Sequence, residues 1–371
     1  MMTPYFKIWK YSRQLNRSGL YFFFPFYHIG GAETVHCKIL ASMVVRPNCI
    51  ITNQSITDAN LQNFKNVSNL ISFDASVSKK RYRQILLKLF SVKINRQKKP
   101  IIFGCNSIFF YDLIPFLEDH VRIIDLTHAF SYEQYSPENY SLPYVNRLDA
   151  RVVLGTKTKM DYARLYRENG INPIFTERIR IIKNAVGIPD TIKKNENEIL
   201  QLIFVARNSS EKRPEIVFDI LKELNEKNIP YYCRIVGDFP EGQKLENTEF
   251  TGEIHDSTRL NELYSKSDIL LLTSEREGLP MVILEAMAHK VLPVSTSVGE
   301  IPELNSDLPG ILLVDPRHHT RVSADMVKII CRLNENRNEL QTRQENCFQL
   351  VKNNYSDHRF AENYRNLFRW E

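Results

Sequence analysis

Short apolar runs alternate with helix-like stretches along almost the whole chain, and this alternation limits the folds open to it. Apolar runs bounded by polar or turn-forming residues are typical of strands in parallel sheets, which helices cover on both faces. The runs fall into two series: residues 20–24, 49–52, 70–73, 100–104, 122–126, 151–154 and 179–182, then residues 200–205, 231–236, 269–272, 291–295 and 311–314. The pattern predicts an α/β chain with two Rossmann-like, doubly wound parallel sheets.

A polar, turn-rich stretch at residues 184–197 separates the two series and is typical of a linker. We therefore predict a first domain at residues 1–186 and a second at residues 187–355. A C-terminal helix at residues 356–371 is expected to pack back toward the first domain. Because parallel α/β sheets bind ligands outside the carboxyl ends of their strands, the two domains are expected to face each other across a cleft.

Size and composition indicate a folded cytoplasmic protein. The chain has 371 residues, 43% of them apolar and 25% charged, which is enough for two cores and argues against disorder. Its longest apolar run, residues 20–27, contains Pro25 and is too short to span a bilayer, and no signal peptide is predicted. The six cysteines have no paired spacing, so we expect free thiols in a reducing compartment and no zinc site.

The net charge of +6 is unevenly distributed. Residues Lys79–Lys99 contain nine basic side chains and no acidic one, with apolar residues at helical spacing between them. One interpretation is a basic helix that makes peripheral contact with an anionic membrane at the inner face of the cell. The other is a surface helix whose apolar stripe packs on its own sheet. Nucleic-acid binding is not predicted, because no aromatic-interleaved basic groove and no nucleic-acid module is present.

Two glutamates, Glu277 and Glu285, flank the most informative segment. Residues 268–274 have the pattern of a buried strand, Gly278 suits a tight turn, and Pro280 suits the first turn of a helix. A strand, turn and helix in this order present free backbone N–H groups and a positive helix end to a phosphate. Carboxylates accept hydrogen bonds from hydroxyls but repel phosphate. The segment therefore predicts a ligand with both parts, namely a diphosphate flanked by sugar rings.

The loop after the first strand of the second series carries Arg207 and Lys212. Two cations that reach a common point neutralise a diphosphate leaving group. The alternative interpretation is a solvated basic loop. Gly237 and Asp238 end the next strand, and Gly252 ends the one after it. These turns are candidates for contact with a nucleotide base, or are simply turns.

In the first series, Gly30 and Gly31 follow the first strand and open a helix. Two glycines allow a ligand to approach the backbone closely, but the spacing is not that of a dinucleotide-binding fingerprint. His128 follows the fifth strand, where a side chain is delivered to the carboxyl end of the sheet. We take His128 as a candidate functional residue and note that an isolated histidine is often only structural.

Together these segments resemble the retaining glycosyltransferases of family 4, also called glycosyl transferases group 1, which have the GT-B fold. The resemblance spans most of the chain and rests on Gly30-Gly31-Ala32-Glu33, Asn184-Ala185-Val186, Gly237-Asp238, residues 274–280 with 285–288, and residues 293–303. Two positions depart from the family pattern, because Ala185 and Glu300 stand where glycine is usual.

The resemblance implies a role for each matching residue. Glu277 would hold hydroxyls of the donor sugar, Glu285 the ribose, and His128 would line the sugar near the reacting carbon. Arg207 and Lys212 would bind the diphosphate and stabilise it as it leaves. Further substrate contacts would come from Gly30, Gly31, Asn184, Gly237, Asp238, Gly278, Leu279, Pro280 and Met281. No metal or other cofactor is expected, because basic residues would replace a cation.

The predicted function is therefore transfer of a sugar, of the hexosyl type and with retention, from a nucleotide sugar to a glycan or a lipid-linked glycan. Bacterial surface polysaccharide synthesis is the expected pathway, by analogy alone. The resemblance implies front-face attack, in which the leaving phosphate accepts the acceptor's proton. Two alternatives stay open: another GT-B enzyme such as a nucleotide-sugar epimerase, and a non-catalytic protein that binds sugar nucleotides.

Overall fold

The chain divides into two compact units in the computed structural model. The first unit comprises residues 1–183 and 360–371, and the second comprises residues 184–359. The boundaries predicted from the sequence fall after residues 186 and 355. The structure describes residues 10–11, 13–15, 17–28, 30–73, 75–192, 194, 198–239, 245–305 and 310–369. Lys193 and residues 195–197 of the predicted linker lie outside them.

Seven parallel strands form the sheet of the first unit, in the order β3-β2-β1-β4-β5-β6-β7. They are β1 (Leu20–Phe24), β2 (Asn48–Ile51), β3 (Asn69–Ser72), β4 (Ile101–Cys105), β5 (Arg122–Thr127), β6 (Ala150–Val153) and β7 (Ile179–Ile181). The chain order changes direction between β1 and β4. In sheets of this kind the ligand crevice lies outside the carboxyl ends of the strands at that switch point.

Helices connect these strands. They are α1 (Gly31–Ala41), α2 (Leu61–Val67), α3 (Lys80–Asn95), α4 (Ile108–Leu113), α5 (Pro137–Tyr140) and α6 (Thr156–Glu168), with short 3₁₀ segments at Ala75–Ser78, Ile114–Phe116, Leu142–Arg147 and Pro173–Arg178. The apolar stripe of α3, including Tyr82, Leu86 and Phe90, is buried in the core of this unit. None of the helices in the described part of the chain is both long and apolar enough to cross a bilayer.

The second unit contains six parallel strands in the order β10-β9-β8-β11-β12-β13. They are β8 (Leu200–Val205), β9 (Tyr231–Val236), β10 (Thr248–Gly252), β11 (Ile269–Leu272), β12 (Leu292–Thr296) and β13 (Leu312–Val314). The helices that follow β8 are α7 (Pro214–Glu226), α8 (Ser257–Ser265), α9 (Met281–Ala288), α10 (His319–Glu335), α11 (Arg337–Asn354) and α12 (Asp357–Leu367), with 3₁₀ segments at Ser210–Lys212 and Ile301–Asn305. The switch point of this sheet lies between β8 and β11.

Two parallel α/β sheets were predicted from the sequence, and this fold class is confirmed. Every predicted run overlaps a strand, but β10 was not among the runs. Its sequence, TEFTG, has no apolar run and is only partly buried at the edge of the sheet. In the sequence only the turn at Gly252 marks it.

Helix α12 and the residues after it complete the core of the first unit. The ring of Phe368 lies 5.3 Å from that of Phe22 on β1 and 5.6 Å from that of Phe103 on β4, measured between centroids. Phe22 and Phe103 are fully buried. The guanidinium of Arg365 donates to the carbonyl of Ser42, 2.9 Å away. Residues 360–369 are therefore an integral part of this unit.

Candidate functional site

The carboxyl ends of β8 and β11 flank the switch point of the second sheet. The loop after β8 carries Arg207 and Lys212, and the loop after β11 carries Glu277. Parallel strands deliver the loops at their carboxyl ends to the same side of a sheet. The topology therefore brings these two predicted loops together.

Lys212 and Glu277 form an ion pair at this position. Nζ of Lys212 lies 2.6 Å from Oε1 of Glu277, and Oγ of Ser274 donates to the same oxygen at 2.6 Å. The side chain of Glu277 is 9% exposed and that of Lys212 is 17% exposed. Because both groups are largely shielded from water, their attraction is stronger than that of an ion pair at the surface. Dissolved salt also screens it less. The carboxylate of Glu277 is thus held in one orientation, with its charge balanced by one lysine.

Arg213 anchors the loop that carries Lys212. Its guanidinium donates to the carbonyls of Thr273 at 2.7 Å, Ser274 at 3.1 Å and Pro316 at 2.9 Å. The hydroxyl of Thr273 in turn donates to the carbonyl of Lys212 at 2.8 Å. The loop is therefore tied to the end of β11 and is not a solvated surface at Arg213.

The turn after β9 supports the same loop. Gly237 has a φ of +142°, and a β-carbon there would lie 2.0 Å from the carbonyl oxygen of Ala206, so no other residue fits without displacing the backbone. The carboxylate of Asp238 accepts a hydrogen bond from the N–H of Asn208 at 2.8 Å. Both predicted residues thus shape the loop after β8, and contact of this turn with a nucleotide base stays a prediction.

Arg207 has a different environment from Lys212. Its side chain is 63% exposed, and its guanidinium lies 3.6 Å from the carboxylate of Glu211. Glu211 also faces Arg276 at 3.5 Å. Arg207 therefore belongs to an exposed chain of charges, whereas Lys212 contacts Glu277 directly.

The turn from Gly278 to Met281 is fixed by two hydrogen bonds to its carbonyls. The amide of Asn184 donates to the carbonyl of Leu279 at 2.9 Å, and the N–H of Glu300 donates to the carbonyl of Gly278 at 3.0 Å. Helix α9 begins at Met281, with Pro280 as its N-cap, one residue later than predicted. The first N–H groups of a helix have no partner within it and carry positive partial charge. The turn therefore presents donors suited to an anion.

Glu285 lies within α9 and accepts a hydrogen bond from a tyrosine. The hydroxyl of Tyr264 on α8 lies 3.2 Å from Oε2 of Glu285. Tyr264 is fully buried, and this burial, together with the adjacent carboxylate, raises its pKa well above 10. The phenol therefore stays protonated and acts as a donor at any ordinary pH. It restrains the carboxylate of Glu285.

In the first unit, Gly30 and Gly31 lie at the start of α1. Gly31 is the first residue of the helix and Gly30 its N-cap. A β-carbon on Gly30 would lie 2.3 Å from a carboxylate oxygen of Glu33, so the glycine leaves room for that carboxylate to fold back. Glu33 is buried and lies 3.6 Å from the ring of His28. The carboxylate of Glu33 therefore packs against the glycine turn that follows β1.

His128, which follows β5, contacts His36 on α1. The Nε2 atoms of the two rings are 3.0 Å apart. Cys105, the last residue of β4, is close to both: one ligand atom of each of the three residues lies within 4.8 Å of the others, a grouping that a metal ion can use. The absence of a metal, expected from the sequence, stays a prediction.

The side chains at the site that were not among the predicted site residues include His36, Ser274, Tyr264 and Arg213. Each contacts a predicted residue, or the loop that carries one, through its side chain. Only Ser274, three residues before Glu277, lies close in sequence to its partner. Helical spacing places His36 on the same face of α1 as Glu33 and Leu40, all of which are buried, and this was an available signal for His36.

A known protein family matches part of the second unit. Residues 188–346 match the family model described as glycosyl transferases group 1, which is less than half of the chain. This range contains Lys212, Glu277 and Glu285 and excludes Asn184 and every residue of the first unit.

Three known proteins illustrate the similarity. The GalNAc-alpha-(1->4)-GalNAc-alpha-(1->3)-diNAcBac-PP-undecaprenol alpha-1,4-N-acetyl-D-galactosaminyltransferase of Campylobacter jejuni is 28% identical over 198 residues, which cover 47% of this chain and 50% of that protein. The O-antigen biosynthesis glycosyltransferase WbnH of Escherichia coli is 28% identical over 145 residues, which cover 37% of this chain and 40% of that protein. The chain spans half or less of the length of the curated relatives it matches.

The third is a solved structure, that of Anabaena Alr3699/HepE in complex with UDP. It superposes with a TM-score of 0.73 over 94% of this chain and 98% of that chain, at 15% sequence identity. Similarity at this level of identity establishes the fold. The predicted GT-B fold class is confirmed.

Proposed function

We propose that this chain is a glycosyltransferase that moves a sugar from a nucleotide-sugar donor to a glycan or lipid-linked glycan. The observation that carries the proposal is the Lys212–Glu277 pair at the switch point of the second sheet. It pairs one cation with one carboxylate four residues before α9 begins, and a diphosphate joined to a sugar requires both groups. The family match over residues 188–346 includes both residues. The UDP bound in the HepE structure supports a nucleoside diphosphate as the leaving group.

The donor diphosphate would bind at the N-terminus of α9. The first N–H groups of this helix and the ammonium of Lys212 supply positive charge. Arg207, which is exposed, would fold onto the diphosphate from the same loop. These charges stabilise the phosphate most strongly when it leaves, because its negative charge then increases. This division of roles makes a metal ion unnecessary for neutralising the diphosphate.

Two carboxylates would bind the hydroxyls of the donor. Glu277 is oriented by Ser274 and Lys212 and would hold hydroxyls of the transferred sugar. Glu285 is oriented by Tyr264 and would hold the ribose. By the resemblance to family 4, His128 would line the transferred sugar. A bound diphosphate competes with Glu277 for Lys212, and its sugar hydroxyls then replace the ammonium as donors to the carboxylate.

The stereochemical outcome we propose is retention, on the basis of the resemblance to family 4. In front-face attack the acceptor hydroxyl approaches the same face that the diphosphate leaves. Its proton passes to a phosphate oxygen, the bond from the anomeric carbon to that phosphate breaks, and the bond to the acceptor oxygen forms. The role of the protein is then to position and to stabilise charge, which is the contribution derived above for Lys212 and α9. A hexose is the transferred sugar that we propose.

We further propose that the exposed face of α3 contacts an anionic membrane on the cytoplasmic side. Lys79, Lys80, Arg81 and Lys88 are exposed, while the apolar stripe of the helix is buried in its own unit. Arg83 is not part of this face, because its guanidinium pairs with Asp112 at 2.6 Å. The contact would therefore be electrostatic and would place the enzyme near a lipid-linked acceptor. Free thiols at all six cysteines suit the reducing cytoplasm.

The test is release of a nucleoside diphosphate from a panel of nucleotide sugars, with and without undecaprenyl-linked glycans as acceptors. Mass spectrometry and NMR of the product identify the sugar and the anomeric configuration. The matched control is Glu277→Ala, which is expected to keep the fold by circular dichroism and to lose most turnover. Inversion at the anomeric carbon contradicts the retaining mechanism. Isomerised free nucleotide sugar would indicate an epimerase, and binding without turnover a non-catalytic protein.

A further inference from the structure

The imidazole rings of His36 and His128 are held in a fixed relation to each other. The ring of His36 stacks on Phe24, with centroids 3.9 Å apart and an angle of 6° between the planes. His36 is 1% exposed, and its Nε2 lies 3.0 Å from Nε2 of His128. His128 is half-buried at the carboxyl end of β5. A rotation of His36 would break both the stacking and the hydrogen bond, so Phe24 fixes the direction in which His36 points.

Only one arrangement of protons suits this pair. Burial lowers the pKa of His36 well below 6.5 and that of His128 to about 4, so both rings are neutral at neutral pH. A neutral imidazole has one N–H, and therefore one Nε2 donates and the other accepts. Nδ1 of His36 is buried and has no partner among the described residues. Because a buried N–H without an acceptor is rarer in proteins than a buried acceptor without a donor, the proton of His36 belongs on Nε2.

His128 then accepts at Nε2 and carries its own proton on Nδ1, since the bond made by one ring nitrogen decides the protonation of the other. Nδ1 of His128 is not among the buried atoms without a partner. We propose that His36 is a positioning residue, which fixes the tautomer of His128 so that Nδ1–H of His128 donates a hydrogen bond to an oxygen of the transferred sugar. The sugar as acceptor rests on the function proposed above, whereas the tautomer does not.

A metal ion is the competing explanation for the same cluster. It would bind one ring nitrogen of each histidine and the thiolate of Cys105. Burial, with the nearby Asp125 and Glu33, raises the pKa of the Cys105 thiol well above its usual value. A protonated thiol is a poor ligand. The two explanations differ in the positions of the ring protons. A metal bound through both Nε2 atoms would leave an N–H on each Nδ1 and no proton between the rings, whereas the hydrogen bond needs one proton there.

The direct test is long-range ¹H–¹⁵N NMR of the full chain labelled at histidine, with signals assigned through His36→Gln and His128→Gln. In the wild type we expect the Nε2–H form for His36 and the Nδ1–H form for His128. In His36→Leu, which removes the donor, His128 is expected to become a mixture of the two forms. His36→Gln keeps an amide donor near the same place and is expected to restore the Nδ1–H form. An Nε2–H form of His128 in the wild type, an unchanged spectrum in His36→Leu, or stoichiometric zinc in the purified protein would overturn the proposal.

Kinetics separate this inference from the proposed function. His36→Leu is expected to lower kcat for sugar transfer about tenfold, the effect of one hydrogen bond, with a smaller change in the donor KM. His36→Gln should recover most of that loss. The double variant with His36→Leu and His128→Gln should have nearly the same kcat as His128→Gln alone, because His36 acts on the sugar only through His128. If no nucleotide sugar is turned over although the tautomers are as stated, the function fails and the tautomer assignment stands. If transfer occurs and His36→Leu matches the wild type in both assays, the inference fails and the function stands.

Discussion

A β-carbon on Gly299 would lie 2.1 Å from the carbonyl oxygen of Glu277. Gly299 has a φ of +59° and follows β12, while Glu277 follows β11. The N–H of the next residue, Glu300, donates to the carbonyl of Gly278 at 3.0 Å. The loop after β12 thus packs directly on the backbone of the turn that carries the proposed sugar-binding carboxylate.

Gly299→Ala is therefore expected to move this turn and to lower both stability and turnover. The contact is with backbone atoms, which cannot rotate away, so we expect a loss of more than ~2 kcal/mol in the free energy of unfolding. Gly170→Ala is the matched control. Gly170 also has a positive φ, of +66°, but a β-carbon there meets nothing within 4 Å. Denaturant titration of both variants measures the difference, and equal losses would show that only the backbone angle matters.

Lys212→Ala is expected to weaken binding of a nucleoside diphosphate by about tenfold or more. The variant loses a cation and also leaves the carboxylate of Glu277 uncompensated, which repels phosphate. Arg207→Ala should have a smaller effect, because that side chain is 63% exposed and pairs with Glu211. Isothermal titration with the diphosphate and with the parent nucleoside checks this. Comparable weakening for the nucleoside would mean that Lys212 does not act on the phosphates.

Tyr264→Phe is expected to raise the KM for the donor by about tenfold and to change kcat little, because Glu285 would lose the donor that orients it. Tyr231→Phe is the control in the same unit. The hydroxyl of Tyr231 donates a hydrogen bond to the carbonyl of Leu221 and not to Glu285. Steady-state kinetics with varied donor concentration separate KM from kcat. Equal KM values for the two variants would indicate that Tyr264 has only a structural role.

The contact between buried His36 and half-buried His128 predicts a loss of stability in acid. Folding lowers the pKa of His128 from 6.5 to about 4, and that of His36 is also lowered, so the unfolded chain binds more protons between these values. The free energy of unfolding should therefore fall as the pH decreases from 6.5 toward 4, by roughly 3 kcal/mol from His128 alone. Denaturant titrations at several pH values check this. The variant with both residues changed to glutamine should have a shallower dependence, and an equal slope would contradict the assignment.

Neutralising the exposed basic face of α3 should reduce binding to anionic vesicles. The variant combines Lys80→Ala, Arg81→Ala and Lys88→Ala, and at about 1 kcal/mol for each charge we expect a decrease of roughly a hundredfold. The control removes three exposed lysines of the second unit, Lys222, Lys227 and Lys328, each of which faces a carboxylate. Flotation with phosphatidylglycerol vesicles and with neutral vesicles checks this. If both variants bind the anionic vesicles equally well, the basic face of α3 does not contact membranes.

Sequence patterns predicted the architecture well because buried parallel strands need apolar side chains on both faces. The exception, β10, lies at a sheet edge, where that requirement is relaxed. The pairing of Lys212 with Glu277 was not predicted, although both residues were, because the two are 65 positions apart. His36 and His128 are 92 positions apart and meet only because β1 and β5 flank the same strand. Periodicity indicates which face of an element is buried, but not which side chain of another element it meets.

The aromatic contact of Phe368 with Phe22 has a consequence for biosynthesis. A ribosome makes Phe22 early and Phe368 only after the entire second unit, so the first unit stays incomplete while more than 170 intervening residues of the second unit emerge. During that interval Phe22 and Phe103 still contact each other but lack the ring of Phe368, and that side of the core remains open to water. Nascent chains stalled before residue 360 should consequently depend on chaperones to remain free of aggregates.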